Sequence, residues 1–459
     1  MHSLDDTIAA IATPPGEGGI AIVRLSGPEA EGIGGRLLRT RAGAGVPMAP
    51  RSVSVAFAVD PGSGERLDEV VALWMPGPAS YTRQDVLEIQ CHGGHAAARA
   101  ILEAAQTLGA RLAGPGEFTL RAFLAGRIDL VQAEAVLDVI RARTEESLRI
   151  HHSLLSGHLS THLESWQERL GRVLVAVEAH LDFPEEEVGE PDGAWVAQEL
   201  QALGEAMVEK LESYRWGRTA RDGFTAALVG SPNTGKSSLL NRLAQEDRAI
   251  VSPIPGTTRD LVEAWIDAEG VPVRLVDTAG LRAPGDEVEE EGVRRARRAA
   301  GGANLVLFVC DGARPLTEEE RREARRLAAA GPALPVVNKR DLGAVPAAEV
   351  GELFARLPLE VSARTGAGVP SILSALRKAA WDGASPSAEA PLTRARHRAA
   401  VQEALGCVLR ARKALEEGVF LELVAAELHG ARRHLAELLG WGTPEDVLES
   451  IFSEFCIGK

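Results

Sequence analysis

GSPNTGKS, residues 230–237, follows the apolar run FTAALV (224–229) and precedes SLLNRLA (238–244). A strand that runs into a glycine-rich turn opening a helix is the context in which G-x-x-x-x-G-K-[ST] cradles phosphate. Its glycines let backbone N–H groups curl around phosphate oxygens, and the helix N-terminus adds its positive end. In that arrangement Lys236 bridges the β- and γ-phosphates and the Ser237 hydroxyl binds Mg²⁺. Asn233, Thr234, Gly235 and Ser238 complete the expected contacts of the loop with nucleotide.

Three further segments extend the pattern. DTAG (277–280) closes another expected strand: Asp277 is placed to hold Mg²⁺ through water and the Gly280 N–H to meet the γ-phosphate, with Thr278 and Ala279 between them. Thr258 in PGTTRD (255–260) is placed to close over the metal. NKRD (338–341) selects the base. The Asp341 carboxylate accepts from guanine N1–H and its 2-amino group, and adenine would leave that charge unpaired. Asn338 and Lys339 frame the ring, and Ser362, Ala363 and Arg364 close its O6 side. Four elements in this order, each at a strand end, imply a GTP hydrolase that uses Mg²⁺.

Outward from the loop, VPVRLVDTAG, NLVLFVCDG, ALPVVNK and LEVSA are short, nearly continuous apolar runs between helical segments. Strands buried on both faces of a mostly parallel sheet read this way. The flanks are helical. Leu163, Trp166, Leu170, Val173, Leu174, Val177 and Leu181 draw one apolar stripe at three- and four-residue spacing, and a helical pattern returns from about 392 to 455. Each flank alone leaves its stripe uncovered, so the α/β domain is expected to be inserted into a single helical domain. The N-terminal part is mixed, with strands in GIAIVRLSG, SVSVAFAV, EVVALWMPG and DVLEIQCHGG and a helix in HAAARAILEAAQTLGA. The expected organisation is an α/β multidomain chain. An N-terminal α+β domain spans 1–118, a discontinuous all-α domain 119–216 and 384–459, and a Ras-like P-loop domain is inserted at 217–383.

The 459 residues carry a net charge of −15, 45% hydrophobic and 25% charged residues. An acidic chain does not hold nucleic acid by overall counterion release, so any action on RNA calls for a local site or a basic partner. No run has signal-peptide or membrane-span character, which gives the expectation of a cytoplasmic protein without membrane contact. Cys91, Cys310, Cys407 and Cys456 lie far apart, which argues against a disulfide framework or a zinc site. Only six lysines occur, Lys236, Lys339 and Lys459 among them. A lysine kept in an arginine-rich chain marks a place for a compact ammonium. The segment CIGK (456–459) approximates a prenylation box, but Gly458 and Lys459 do not suit its last two positions.

Where Ras-like proteins carry glutamine after D-x-x-G this chain has Leu281, followed by RAPGDEVEEEGVRRA. With DTIAAIATPPGEGGIAIVRLSG, GPASYTRQDVLEIQCHGG, PGEFTLRAFLAGRIDLVQAEAV and the closing FCIGK, this resembles the MnmE (TrmE) family of tRNA-modification GTPases over nearly the whole chain. The resemblance implies that Glu289 orients the attacking water, a task Leu281 cannot perform. From the residue alone Glu289 reads as a solvated acid at a helix start. It also implies a K⁺ site from Asn233, Ser252, Ile254 and Thr257, in which the ion offsets charge developing in the transition state. It implies a folate site, for 5-formyl- or 5,10-methylene-tetrahydrofolate, at Arg24, Glu88, Arg127 and Lys459. As residues alone, Arg24 and Glu88 are also a cross-strand ion pair and Arg127 a solvated helix residue, and Arg127 stands where the family usually has lysine. The implied assembly is a homodimer joined to an FAD-binding partner in a heterotetramer. The implied reaction is attachment of a folate-derived aminomethyl-type group to C5 of the wobble uridine of certain tRNAs. Cys456 is placed to react with the uracil ring or only to position it. Two other expectations stay open: a GTPase acting only as a switch, and a folate-dependent one-carbon transferase without an RNA substrate.

Overall fold

A computed structural model of the chain describes residues 5–182, 193–245, 263–277, 302–381, 390–418 and 420–459. It divides into two compact units, Met1–Leu137 with Ala436–Lys459, and Asp138–Leu435.

In the first unit β1 (Ile8–Ile11), β2 (Ile20–Ser26), β3 (Leu38–Arg39), β4 (Val53–Val59), β5 (Arg66–Met75), β6 (Val86–His92) and β7 (Arg111–Leu112) form one sheet. Its order is β3-β4-β5-β6-β2-β1-β7, antiparallel throughout except for β1 beside β7. Strand alternation sends Val23, Leu25, Leu87, Ile89, Ala72 and Trp74 into a core shared with Ile33 and Leu37 of helix Ala30–Leu37 and Ile101 of helix His95–Thr107. The period of two therefore turns Arg24 and Glu88 to the opposite face. A smaller core joins Leu130, Ala133 and Leu137 to Phe452 and Phe455. Helix Glu445–Ser453 ends between these two rings, whose centroids lie 5.4 Å apart. A phenylalanine buried this way contributes roughly 1.5–3 kcal/mol, and the pair anchors the segment that leads to Cys456–Lys459.

In the second unit β8 (Phe224–Val229), β9 (Glu263–Ala268), β10 (Val271–Asp277), β11 (Leu305–Asp311), β12 (Ala333–Asn338) and β13 (Leu359–Glu360) form the second sheet. Its order is β13-β12-β11-β8-β10-β9, parallel except at β9. The apolar runs of β8, β11 and β12 are buried on both faces, one against helices Lys236–Gln245 and Val369–Trp381, the other against helices Glu318–Ala330 and Ala347–Phe354, whereas β10 shares only the first core and leaves Arg274 and Val276 partly exposed. β8 lies between β10 and β11, so successive connections leave it in opposite directions. Ligands of open α/β sheets bind beyond the carboxyl ends of strands at such a switch point.

The flanking helices behave as their stripe requires. Leu163, Trp166, Leu170, Val173, Leu174 and Val177 of helix His158–Asp182 are buried, and Leu181 is half-buried. Helix Gly193–Glu212, which precedes the sheet in sequence, packs on helix Ala395–Glu416, which follows it. Val196, Leu200, Leu203 and Met207 on one side, and Val401, Ala404, Val408 and Ala411 on the other, are buried. The P-loop α/β domain is thus inserted in an all-α domain, as the sequence pattern implies. Among the described residues no helix is long and apolar enough to cross a membrane.

Candidate functional site

The phosphate loop leaves β8 at Gly230, where a Cβ would lie 2.1 Å from the Val309 carbonyl oxygen. Only glycine fits. Asn233 adopts a left-handed φ of 63°, and Gly235 has φ +88° with its missing Cβ 2.4 Å from Asn338 Nδ2. The loop therefore closes tightly on the base-selecting segment. Lys236 is buried at its centre and donates from Nζ to the Gly230 and Ser231 carbonyls, at 2.8 and 2.7 Å. Thr234 is buried and donates to Ser231 O, whereas Asn233, Ser237 and Ser238 face outward. Ser237 Oγ donates to Asp277 Oδ2 at 2.6 Å across the β8–β10 boundary. A hydroxyl and a carboxylate placed together in this way make an oxygen donor set suited to a hard cation such as Mg²⁺.

The base-selecting residues gather at the end of β12. Asn338 is buried; it donates to Thr234 O at 2.9 Å and accepts from Ala363 N–H at 3.0 Å. Lys339, at a left-handed φ of 64°, donates from Nζ to Asn233 O and to Asp311 Oδ2, both at 2.7 Å. Asp341 Oδ1 accepts from Ser362 Oγ at 2.6 Å, and Arg364 stands 4.0 Å from its other oxygen.

Two participants went unnoticed in the sequence. Burial raises the Asp311 carboxyl, but hydrogen bonds from Lys339 and the Ala313 N–H outweigh it and hold Asp311 below the usual carboxylate range. Asp311 thus stays charged and fixes the Lys339 ammonium. Arg242, on the helix that follows the phosphate loop, donates to the Ala363 and Arg364 carbonyls at 2.9 and 2.6 Å. Phosphate helix, loop and base-selecting segments are therefore one bonded assembly. Ser252, Ile254, Thr257, Thr258, Thr278, Ala279, Gly280 and Glu289 lie outside the described residues.

In the first unit Arg24 and Glu88 face each other in register on β2 and β6, with Nε and Oε1 2.8 Å apart. The cross-strand ion pair is present, and it has a further partner: Arg24 Nη1 donates to Gly458 O at 3.1 Å. The tail is held by its backbone. Gly116 N–H donates to Cys456 O, Phe118 N–H donates to Lys459 O, and Pro115 bridges to Ile457. Gly458 has φ +95°, and a Cβ there would meet Ile11 O at 2.7 Å. Burial, then the charge of Arg24, push the Lys459 ammonium below its ordinary value, against the attraction of Glu88. Cys456 is exposed.

Arg127 lies in a bend rather than in a helix, which corrects the simplest expectation for it. Its guanidinium stacks 4.7 Å from the Tyr81 ring and donates to Tyr81 O. Tyr81, Arg83 and Arg127 line a cleft of about 590 Å³ with Met75 and Ser80. Burial pushes the Tyr81 hydroxyl up, opposed by its bond with Thr119 and by the charges of Arg127 and Arg24. Arg24, Glu88 and Lys459 converge, and Arg127 belongs to the neighbouring Tyr81 cleft. Tyr81 stands in the quoted GPASYTRQ, but nothing local to that segment signals its stacking partner.

Two family models match the chain: the MnmE helical domain over residues 130–456 and the GTP-binding protein TrmE N-terminus over residues 7–127. Curated proteins named tRNA modification GTPase MnmE match end to end. The one from Geobacter metallireducens is 44% identical over 99% of this chain and 100% of its own length. The one from Symbiobacterium thermophilum is 46% identical over the same shares. Among solved structures, the G domain of the FeoB iron transporter of T. maritima matches 34% of this chain and 98% of its own at 24% identity and a TM-score of 0.28. With one family model covering most of the chain and full-length relatives well above 40% identity, the chain belongs to the MnmE (TrmE) family, whose curated members are named tRNA modification GTPases.

Proposed function

We propose that this chain hydrolyses GTP in the service of tRNA modification, as a K⁺-activated enzyme. With an FAD-dependent partner it would add a folate-derived, (carboxymethyl)aminomethyl-type group to C5 of the wobble uridine. The observation that carries the GTPase part is the bonded assembly at the carboxyl edge of the second sheet. There Lys236, the Ser237–Asp277 pair and the Asn338–Lys339–Asp341 segment meet across three strands. Lys236 draws charge from the phosphates, while Asp341 and Ser362 read guanine. Ser237 and Asp277, with Thr258, would hold Mg²⁺, which when bound neutralises charge on the β- and γ-phosphate oxygens. Asn233, with Ser252, Ile254 and Thr257, would hold K⁺, and Glu289 would orient water. The protein's own part is positioning: its hydrogen bonds fix loop, base pocket and metal-facing oxygens before nucleotide arrives.

For the first unit, the meeting of Arg24, Glu88 and Lys459, beside a cleft with Tyr81 and Arg127, supports a tetrahydrofolate site. A carboxylate suits the pterin N–H groups, and the cations suit the glutamate tail. On this proposal the domains run 1–118, 119–216 with 384–459, and 217–383, and the cytoplasmic enzyme works as a homodimer within a heterotetramer. Mass spectrometry of tRNA nucleosides from a deletion strain tests the whole: unchanged wobble uridines would sink the modification reading. Turnover with K⁺ replaced by Na⁺ tests the ion, and equal rates would refute the K⁺ site. Glu289→Ala is expected to keep GTP binding and lose most hydrolysis; normal turnover would move the water-orienting role elsewhere.

A further inference from the structure

A second cleft in the Asp138–Leu435 unit, about 620 Å³ in volume, lies far from the nucleotide pocket. It opens where β8, β11 and β12 begin, at Phe224, Leu305 and Ala333, whereas Gly230, Asp277 and Asn338 stand where strands end. Six strand residues at about 3.3 Å each set the two edges roughly 20 Å apart. The cleft is therefore no part of the GTP site.

Four cations line it, Arg215, Arg218, Arg356 and Lys378, against one carboxylate, Asp222. That carboxylate is already engaged, with Arg218 at 3.5 Å and Arg221 at 3.2 Å. The side chains of Arg356 and Lys378 have neither an ion-pair nor a hydrogen-bond partner among the described residues. Other exposed arginines, such as Arg99 with Glu103, Arg149 with Glu146, Arg326 with Glu323 and Arg410 with Glu427, are matched with acids. A cleft that adds two cations without a partner among the described residues, Arg356 and Lys378, to Arg215 and Arg218 gives a polyanion a place to approach in a chain of net charge −15. All four residues are exposed at the mouth rather than enclosed in depth, which suits a phosphodiester strand lying across the cleft better than a small anion inside it.

We propose that this cleft binds the phosphate backbone of RNA, namely the tRNA of the function argued above, on which the inference rests. The site is formed by helix Tyr214–Asp222, which runs directly into β8, and by the end of helix Val369–Trp381, the last helix after β13. RNA held there touches the segments that enter and leave the nucleotide-binding sheet along the chain, which pack in one core.

The test uses the full chain carrying Arg356→Ala and Lys378→Ala together, with fluorescently labelled tRNA titrated across a salt series. Each phosphate contact contributes about 0.7–0.9 to the slope of log K against log salt. The double variant is expected to lower that slope by about 1.4–1.8 and to weaken binding at low salt, with GTP turnover in the absence of RNA unchanged. An unchanged slope in a protein that binds tRNA overturns this inference alone. A wild-type chain that binds no tRNA at any salt overturns it and counts against the tRNA function as well. Displacement of tRNA by inorganic phosphate at constant ionic strength would reassign the cleft to a free anion. An intact slope with lost binding of the FAD-dependent partner would reassign it to an acidic protein segment.

Discussion

Asn338→Ala is expected to loosen the nucleotide site before any nucleotide binds. The side chain is 1% exposed and joins two segments, donating to Thr234 O at 2.9 Å and accepting from Ala363 N–H at 3.0 Å. Thr234 is fully buried and Ala363 nearly so. Alanine leaves one buried carbonyl and one buried N–H without these partners, at about 1–3 kcal/mol each, or roughly 2–6 kcal/mol together. The methyl cannot draw the segments together, because Gly235 already approaches the Asn338 amide as closely as a backbone without a Cβ can. A local loss of even 2 kcal/mol is roughly thirtyfold in an opening equilibrium. Hydrogen exchange in peptides covering 362–366 of the nucleotide-free protein should therefore accelerate by about thirtyfold or more. Global unfolding is the wrong assay, since a chain of several domains does not unfold in two states. Exchange at Ala363 unchanged from wild type would refute the argument and make Asn338 a contact for guanine alone.

Asp311→Ala leaves the Lys339 ammonium on Asn233 O alone. A half-exposed pair of this kind contributes up to about 1 kcal/mol, so dissociation of a fluorescent GDP analogue should quicken by up to about fivefold; an unaltered rate removes Asp311 from the site. Burial raises the Glu320 carboxyl, but Arg314, Thr317 N–H and Ser231 outweigh it and bring it from 4.5 down to about 2. A depressed carboxyl stabilises fully above its unfolded value and loses that contribution as pH falls from about 4.5 to about 2. Glu320→Gln should then flatten the acid-induced loss of exchange protection over 314–330 in that window, and a curve like that of wild type would contradict the pairing. Gly458→Ala meets Ile11 O at 2.7 Å and Ala12 Cα at 2.9 Å with φ +95°. The left-handed backbone alone costs roughly 1–2 kcal/mol, so the Gly116 and Phe118 amides, which donate to the tail, should exchange at least about fivefold faster. Retained protection would mean that the tail is held otherwise.

The sequence revealed strands of two kinds, the alternating β2, β4, β5 and β6 of the first sheet and the apolar runs of the second. β8, β11 and β12 read as unbroken apolar runs because helices cover each side, β10 as a run broken only by Arg274, and Gly230, Asp277 and Asn338 could be placed at strand ends from the sequence alone. β9 escaped because it is the antiparallel edge, where Glu263, Trp265 and Asp267 alternate with Ala264, Ile266 and Ala268. β1 escaped because Ile8–Ile11 is four residues long with two alanines at its centre, too short for a period to show. Motif residues were legible because the phosphate cradle is local in sequence. Asp311 and Arg242 were not, since they act on groups 28 and 121 positions away. Nothing in CDG or LLNRLA states which loop will return beside it.

Arg24 and Glu88 show why two readings of one pair need not exclude each other. The sequence left them as an ion pair or as ligands, and the structure contains the ion pair at 2.8 Å. Yet an ordinary cross-strand pair on a sheet face would not also hold Gly458 O, 434 positions along the chain, with Lys459 half-buried beside it. One side-chain carboxylate here faces two side-chain cations, all partly buried. In the proposed folate site a pterin taking both N–H groups to Glu88 would displace the Arg24 Nε–H, and Arg24 holds the tail through Nη1. On that proposal, occupancy of Glu88 and docking of 456–459 would be coupled through one guanidinium, and a change at either end should be read at the other.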